Sequence, residues 1–360
     1  MTAVAQSPSD PPISRPMLVR LPKVELHRHL EGSLRLATMR EIATRHDLGL
    51  PAGTTGQLRP FVQMTNDGPD FRSFLDKFNY IRRFYQSPEL IRRVAFEAVE
   101  DAALDNILYL ELRFTPPALA KARGFSLAEV TDCVIEATEQ ACRRYPAMQV
   151  QLIANVNRHE PVELAERVVQ VAVDRQARGI VALDIGGDEV NFPIQPFVPL
   201  FQEARRAGLR MTIHAGEWAG PDSVRTAIEA LGAERIGHGV RVVEDDRVVE
   251  LARERGTLFE VCVQSNLHTG VVPRLQDHPL MQMMRLKLKT TLNTDDPSIF
   301  GIALSDEYAT AVGLGLTLTD LQAAVLNAAR HAFCPPAEQD RLVGRLQAAW
   351  LNLSAPADAA

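Results

Sequence analysis

Cysteine is scarce in this chain of 360 residues, and basic residues are fewer than acidic ones. The four cysteines are scattered and form no C-x-x-C pair, so the sequence gives no sign of a disulfide framework. Scattered cysteines in a chain of this length instead predict buried thiols in a reducing compartment. The net charge is −6, which argues against a protein that binds nucleic acid through its phosphate backbone.

Long apolar runs are missing as well. No stretch reaches the roughly 18 apolar residues that a membrane-spanning helix needs, and the N-terminal segment lacks the apolar centre of a secretory signal. Residues 1–17, rich in Ser, Pro and Ala, are predicted to be a disordered leader, and residues 354–360 a flexible tail. We therefore predict one folded domain over residues 18–353, a cytoplasmic location and no membrane partner.

What the chain does have is an alternation of strand-like and helix-like segments. Short apolar runs of the strand type cover residues 24–29, 107–114, 149–156, 180–185, 209–214, 235–239, 257–263 and 289–294. Apolar residues at helical spacing cover residues 90–104, 127–142, 161–178, 197–207, 223–231 and 246–255. Glycines stand where several of these helices should end, namely at Gly179, Gly208, Gly232 and Gly256.

Eight strands that alternate with helices are typical of a parallel (β/α)8 barrel. The long connection over residues 34–90 is predicted to hold extra helices that cap the mouth of the barrel at the C-terminal ends of the strands. From Ser305 onward the chain should be helical, with one helix over residues 320–332. A doubly wound sheet is the alternative fold, although no G-x-G-x-x-G follows the first strand.

Histidines and aspartates stand at the ends of these predicted strands. His27 and His29 close the first strand, and residues i and i+2 of a strand point to the same face. His214 closes the fifth strand, His238 lies between two glycines in the sixth, and Asp295-Asp296 follow the eighth. Catalytic groups of such barrels lie at the C-terminal ends of strands, so these side chains should converge.

Three histidines and one carboxylate with an open coordination position describe a hydrolytic zinc centre. The predicted ligands of one Zn²⁺ ion are His27, His29, His214 and Asp295. Such an ion lowers the pKa of its bound water to about 7 and supplies hydroxide at neutral pH. Glu217, His238 and Asp296 then remain for proton transfer and substrate contact.

Each of these residues also has a simpler explanation. Glu217 could be an acid favoured by a helix dipole, and His238 a hydrogen-bonded core histidine. The two adjacent aspartates could form a turn ahead of Pro297. Gly186 and Gly187, after the fourth strand, allow either a plain turn or the close approach of a ligand to backbone N–H groups. The coincidence of so many such residues with strand ends favours the metal site.

Several segments together resemble the adenosine deaminase family of zinc hydrolases. In chain order from Leu21 to Pro297, they are L-P-K-V-E-L-H-R-H-L-E-G-S-L, Y-L-E-L-R-F-T-P, L-D-I-G-G-D-E, T-I-H-A-G-E, R-I-G-H-G-V-R, C-V-Q-S-N-L-H-T-G and L-N-T-D-D-P. The resemblance implies a (β/α)8 barrel with one zinc ion. It also implies the same four ligands that the strand-end positions predict.

The resemblance further implies a role for each remaining residue. Glu217 would be the proton donor to N1 of a purine, and His238 would orient or deprotonate the attacking water. Asp296 would hold N7, and the backbone N–H of Gly187 would meet N3. Glu31 together with the ligand His29 would face the sugar.

The implied reaction is hydrolytic deamination of a 6-aminopurine nucleoside, adenosine or deoxyadenosine, in which hydroxide adds to C6 and ammonia leaves. Many family members have Asp where this chain has Glu31. The longer acid is common in relatives that act on free adenine or on 5′-modified adenosines such as aminofutalosine, and both substrates stay open as alternatives. The segments L-D-I-G-G-D-E and R-I-G-H-G fit the nucleoside branch better. AMP is disfavoured, since no cluster of Arg or Lys near the motifs could clamp a phosphate.

Other protein classes are also compatible with a metal site at strand ends. One is a different metal hydrolase, acting on a lactone or ester; such barrels often use a bridging Lys and two metals, and no Lys ends a predicted strand. A second is a non-catalytic binder, in which ligand positions would be lost, whereas here all are filled. The H-x-E and P-C-x-x-C signature of cytidine-type deaminases is absent, which disfavours an editor of nucleic acid.

Overall fold

The computed structural model describes residues 13–65 and 67–354. Eight parallel strands pair in chain order, each with the next along the sequence. They are β1 Lys23–His29, β2 Ile107–Phe114, β3 Gln149–Asn157, β4 Ile180–Gly186, β5 Arg210–Ala215, β6 Arg235–His238, β7 Leu258–Val261 and β8 Lys289–Leu292. The predicted (β/α)8 barrel is confirmed.

The barrel closes between β1 and the segment that follows β8. Arg28 and Asp295 form a parallel bridge there. The N–H of His29 donates to the carbonyl O of Asp295 at 2.8 Å, and the N–H of Asp295 donates to the carbonyl O of His27 at 3.0 Å. Two backbone hydrogen bonds therefore hold the predicted ligands of β1 in register with Asp295, the predicted ligand that follows β8.

Helices surround the strands and cover both ends of the barrel. They are α1 Arg15–Arg20, α2 Leu36–Arg45, α3 Thr55–Val62, α4 Phe71–Ile81, α5 Pro88–Leu104, α6 Pro116–Ala120, α7 Leu127–Arg144, α8 Val162–Val173, α9 Val198–Arg206, α10 Pro221–Thr226, α11 Asp246–Arg255, α12 Val263–His268, α13 Leu280–Arg285, α14 Pro297–Phe300, α15 Leu304–Gly313, α16 Leu318–Arg330 and α17 Pro336–Ser354. None of the helices in the described ranges is long and apolar enough to cross a membrane.

The extra helices lie where the long first connection predicted them. α2, α3 and α4 occupy the segment between β1 and α5, and α4 brings Phe74 and Phe78 to the cavity at the C-terminal mouth. The opposite end is closed after α16, where the N–H of Phe333 donates to Glu111 at 2.6 Å and the guanidinium of Arg235 lies 3.5 Å from the Phe333 ring centroid. The mouth is thus the end at which a ligand has access.

Three predictions about local structure are wrong in part. Residues 15–17, which were expected to be part of a disordered leader, instead form the first turn of α1; Leu18 is buried in the core and Arg15 pairs with Asp306 at 2.7 Å. The helix predicted over 161–178 stops at Val173 and continues only as a 3-10 turn, and the segment 223–231 contains a π-helical turn. Residues 1–12 and 355–360 lie outside the described residues.

Candidate active site

The four predicted metal ligands converge at the C-terminal mouth of the barrel. His27 and His29 come from β1, His214 from β5 and Asp295 from the segment after β8, and one ligand atom of each lies within 4.8 Å of the others. Oδ1 of Asp295 is 3.2 Å from Nε2 of His27 and 3.3 Å from Nε2 of His29. Three imidazole nitrogens and one carboxylate oxygen form a donor set that suits zinc.

The hydrogen bonds around the imidazoles test whether these residues fit a metal ion. Nδ1 of His27 lies 2.9 Å from Oε2 of Glu260, and Nδ1 of His214 lies 2.8 Å from Oδ2 of Asp184. A carboxylate can only accept, so each Nδ1 carries the proton and each Nε2 keeps its lone pair. Nε2 of His27 is buried and has no hydrogen-bond partner among the described residues. The site therefore fits a divalent ion.

Beneath the ligands lies a buried ion network, which we call the floor: Arg113, Asp184, Arg235 and Glu260. Nη1 of Arg113 is 2.5 Å from Oδ2 of Asp184, and its Nη2 is 2.7 Å from Oε2 of Glu260. Nε of Arg235 is 2.7 Å from the other oxygen of Glu260. All four side chains are fully buried. The floor thus joins the two carboxylates that orient His27 and His214.

Ion pairing keeps the floor carboxylates charged. Burial acts to raise the pKa of Glu260, but the charges of Arg113 and Arg235 bring that pKa well below its usual range. Burial opposes ionisation of Asp184 too, and there the interactions with His214 and Arg113 lower the pKa. A charged acceptor strengthens the hydrogen bond that fixes each imidazole.

His238 is the last residue of β6. Its φ of +58° is unusual for a residue with a side chain, and Gly239 continues the left-handed turn at +63°. Nε2 of His238 lies 3.8 Å from both Oε1 of Glu217 and Oδ2 of Asp295. Burial lowers the pKa of His238 well below its usual value, so the imidazole is neutral.

Glu217 stands on the loop that leaves β5, and another carboxylate holds that loop in place. The side chain of Glu189 accepts N–H bonds from four consecutive residues, Gly216 at 2.7 Å, Glu217 at 3.1 Å, Trp218 at 2.9 Å and Ala219 at 3.0 Å. Burial raises the pKa of Glu217 well above its usual value; the negative charges of Asp295 and Glu189 act in the same direction, and Arg158 opposes them less strongly. The direction of this shift favours the protonated form of the Glu217 carboxyl group.

Two further carboxyl groups flank the ligands, and with Glu217 we call them the wall: Glu31, Glu217 and Asp296. Burial and then the charge of Asp295 raise the pKa of Asp296 well above its usual value, and burial raises that of Glu31 to about 7. In the part of the chain that the structure describes, no Lys or Arg forms an ion pair with any of the three. Oδ1 of Asp296 and Oε2 of Glu31 are buried without a hydrogen-bond partner among those residues.

Two glycines make room around the wall. A Cβ at Gly32 would overlap the side chain of Asp296, so no larger residue fits next to Glu31. Gly187 has φ of +95°, and a Cβ there would lie 2.9 Å from Nδ1 of His159. The backbone conformation and the contact with His159 thus both require glycine at position 187, and Gly186 and Gly187 both line the cavity.

These groups surround a cavity of about 410 Å³ at the mouth, a size that suits a small ligand. The predicted site residues that line it are His29, Glu31, Gly187, His214, Glu217, His238, Asp295 and Asp296, while His27 lies behind them. Phe74, Phe78 and Trp218 supply apolar surface. The cavity thus offers flat apolar contacts next to polar groups that point inward.

Sequence reasoning missed the residues that hold the site from behind. Arg113, Glu260 and Glu189 were not singled out, and neither was Ser265, whose hydroxyl donates to Oδ2 of Asp295 at 2.7 Å. A signal existed for two of them, because Arg113 and Glu260 are charged residues inside strands that are mostly apolar. A charge in such a strand calls for a buried partner.

Comparison with known proteins identifies the family. A family model described as adenosine deaminase matches residues 22–349. The chain belongs to the adenosine deaminase family. An adenosine deaminase from Erwinia tasmaniensis is 39% identical over 330 residues, which are 91% of this chain and 99% of that protein. The family resemblance of the sequence motifs is confirmed.

Solved structures of deaminases and amidohydrolases share the fold of this family member. An adenine deaminase from Arthrobacter aurescens is 28% identical and has a TM-score of 0.85, covering 92% of this chain and 99% of that one. An amidohydrolase from Burkholderia ambifaria with bound Zn is 25% identical and has a TM-score of 0.86, covering 97% and 98%. A metal ion at the convergent ligands is in line with this second structure.

Proposed function

We propose that this member of the adenosine deaminase family catalyses the hydrolytic deamination of adenosine and deoxyadenosine, with one bound Zn²⁺ ion. The observation that carries the proposal is the cavity in which a donor set of three imidazoles and a carboxylate faces the buried carboxyl group of Glu217, whose pKa is raised by burial. A nucleophile and a proton are the two things that amidine hydrolysis requires at C6 and N1. The 39% identical adenosine deaminase supports adenosine as the substrate.

His27, His29, His214 and Asp295 would hold the zinc ion. When bound, the ion would lower the pKa of a water molecule and so supply hydroxide at neutral pH. Glu260 and Asp184 keep the imidazoles of His27 and His214 in the tautomer that presents Nε2 to the site. The ligands are thus arranged in advance, which lowers the reorganisation that catalysis requires.

Glu217 would donate its proton to N1 of the purine. Protonation there places a positive charge next to C6, so that oxygen addition yields a tetrahedral carbon without a charge building up on the ring. The raised pKa of Glu217 suits this step because the acid must be protonated at neutral pH before it can donate. His238 would orient the attacking oxygen from the far side of the site.

The remaining wall groups would position the substrate. N7 of a purine is an acceptor, so Asp296 can hold it only as a protonated carboxyl, and burial raises its pKa in that direction. The N–H of Gly187 would meet N3. Glu31 accepts the N–H of Thr115 through Oε1 at 2.7 Å, which leaves Oε2 free for a sugar hydroxyl near His29.

A comparison of substrates tests the proposal. The free Oε2 of Glu31 can accept a hydrogen bond from a 5′-hydroxyl, the group that free adenine, aminofutalosine and AMP all lack, so kcat/KM should be higher for adenosine than for these three compounds. Ammonia release from each compound gives the ratios. A higher kcat/KM for free adenine, or no turnover of any aminopurine, would contradict the proposal.

The cytoplasmic location stays a prediction. It is supported by the four cysteines, Cys133, Cys142, Cys262 and Cys334, which are free thiols in the structure. The cytosol keeps thiols reduced, whereas secreted proteins tend to pair them. Fractionation of cells that express the protein would test this location.

A further inference from the structure

A chain of hydrogen bonds runs behind His238, on the side away from the cavity. The N–H of Leu280 lies 3.1 Å from Nδ1 of His278, and Nε2 of His278 lies 3.1 Å from Oδ1 of Asn266. Nδ2 of Asn266 then lies 3.2 Å from Nδ1 of His238. His278 is 4% exposed and Asn266 is fully buried, so water does not compete for these bonds.

The direction of this chain follows from its first member. The N–H of Leu280, in the first turn of α13, can only donate, so Nδ1 of His278 accepts. Burial lowers the pKa of His278 to about 4, so the neutral ring carries its proton on Nε2. The atom of Asn266 that faces His278 must then be the oxygen, and the atom that faces His238 must be the amide nitrogen.

We infer that Asn266 and His278 are positioning residues that fix His238 as the tautomer with its proton on Nε2. The Asn266 amide donates to Nδ1 of His238, and a neutral imidazole has one proton, which is therefore on the nitrogen that faces the cavity. In this state His238 donates a hydrogen bond to the attacking oxygen and has no free lone pair with which to remove a proton from it.

The surroundings of Nε2 agree with a donor. The two oxygens that lie 3.8 Å from it, on Glu217 and Asp295, belong to carboxyl groups. The opposite tautomer would bring a bare lone pair towards the carboxylate oxygen of Asp295 and would also set an N–H of His238 against the N–H of Asn266. Both contacts would be unfavourable, and the second would replace a hydrogen bond, which explains why a buried relay selects one form.

The tautomer can be measured directly, without substrate. In protein labelled with ¹⁵N-histidine, long-range ¹H–¹⁵N correlation spectra distinguish a protonated from an unprotonated ring nitrogen, and the spectrum of H238Q assigns the His238 signals. We expect protonated Nε2 and unprotonated Nδ1. In N266D, where both side-chain oxygens accept, the pattern should reverse. Protonated Nδ1 in the wild type, or an unchanged pattern in N266D, would overturn the inference.

The kinetic consequence rests on the proposed role of His238 in deamination. N266D keeps the size and shape of the side chain, and we expect kcat to fall by about 10²-fold or more, with KM changed by less than about threefold and zinc content unchanged. A wrong histidine tautomer in a serine protease costs about 10⁴ in kcat. An unchanged kcat in N266D would overturn the inference, whereas failure of the proposed substrate would leave the spectra unaffected.

Variants of His278 separate the relay from simple packing. H278L removes the donor to Asn266, so a mixture of His238 tautomers and a kcat lower by about tenfold are expected. H278Q has an amide that can donate in the same place and should restore most of the loss. H331N is the control, because His331 is half-buried and hydrogen-bonded through Nδ1 at 2.8 Å but does not line the cavity.

Either of two results with these variants would contradict the relay. One is a wild-type spectrum and kcat in H278L; the other is an H278Q protein as impaired as H278L. If H278L does not fold, as thermal melting would show, N266D still decides, because it removes one amide group without opening a cavity.

Discussion

The floor and the wall contain carboxyl groups that are equally buried and behave in opposite ways. Glu260 and Asp184 in the floor pair with arginines, and their pKa values lie well below the usual range. Glu217 and Asp296 in the wall have no arginine or lysine partner among the described residues, and burial raises their pKa values. Pairing, rather than burial, decides which of these groups is charged.

Because of this difference in charge, the carboxyl groups of the floor and of the wall have different functions. Charged floor carboxylates accept from Nδ1 of His27 and His214 and keep Nε2 available for the metal. The raised pKa values of Glu217 and Asp296 favour the protonated form, which can donate a hydrogen bond, whereas the charged floor groups can only accept. Substitutions in the two regions should therefore fail in different ways, one by loss of metal and the other by loss of chemistry with the metal retained.

The largest effect is expected from E217Q in the wall. Removing the proton donor should lower kcat for adenosine by about 10³-fold, within the range of general acid catalysis. The zinc content should remain that of the wild type. Ammonia release and metal analysis on the same preparation check both statements, with the exposed variant E163Q as control. Full activity in E217Q would show that Glu217 is not the donor.

E31Q should change how stability depends on pH. The pKa of Glu31 is raised from 4.5 to about 7 in the folded protein, so the native state binds more protons than the unfolded state between these values. Wild-type stability therefore falls as pH rises through this window, and E31Q, which does not titrate, should gain about 3 kcal/mol relative to it. Urea unfolding of chelator-treated protein at pH 4.5 and pH 8 measures this change. A constant difference would contradict the assignment.

A smaller effect is expected in the floor. D184N removes the charge that accepts from Nδ1 of His214, and metal affinity should fall by about 10–100-fold. Competition with a chelator measures the affinity, and excess zinc should restore most of the activity. The exposed variant D222N is the control. If D184N binds zinc as tightly as the wild type and is nonetheless inactive, the division between floor and wall is wrong.

The smallest effect is expected from E189Q, which acts on the loop that carries Glu217. The two carboxylate oxygens of Glu189 accept hydrogen bonds from four backbone N–H groups, whereas the amide of the glutamine has only one oxygen that can accept them. We expect kcat to fall by about tenfold with metal content unchanged, because the proton donor is held less firmly. Steady-state rates and metal analysis test this, and wild-type rates would count against it.

The convergence of the ligands could be predicted from the sequence because it depends on local pattern alone. In a (β/α)8 barrel the C-terminal ends of all strands meet, whatever the register of each pair. His27, His214 and Asp295 therefore needed only correct strand assignments to be placed together. The family resemblance then added roles that spacing does not carry, such as that of Gly187.

The floor could not be predicted in the same way. Arg113, Asp184 and Glu260 come from β2, β4 and β7, so their contacts depend on which side chains face the barrel interior and on how the barrel closes. The relay behind His238 depends equally on where α13 begins, since the N–H of Leu280 sets its direction. The helix at Arg15 was missed because six residues are too few to show a helical period.

The protonation state of Glu217 at neutral pH is the most direct test of the central claim. A protonated carboxyl group has an infrared C=O stretching band that a carboxylate lacks, and difference spectra between wild type and variants at pH 7 assign it. The account predicts that a protonated carboxyl band is lost in E217Q and that none is lost in D184N. Loss of such a band in D184N would contradict the account. So would spectra in which neither variant loses a protonated carboxyl band.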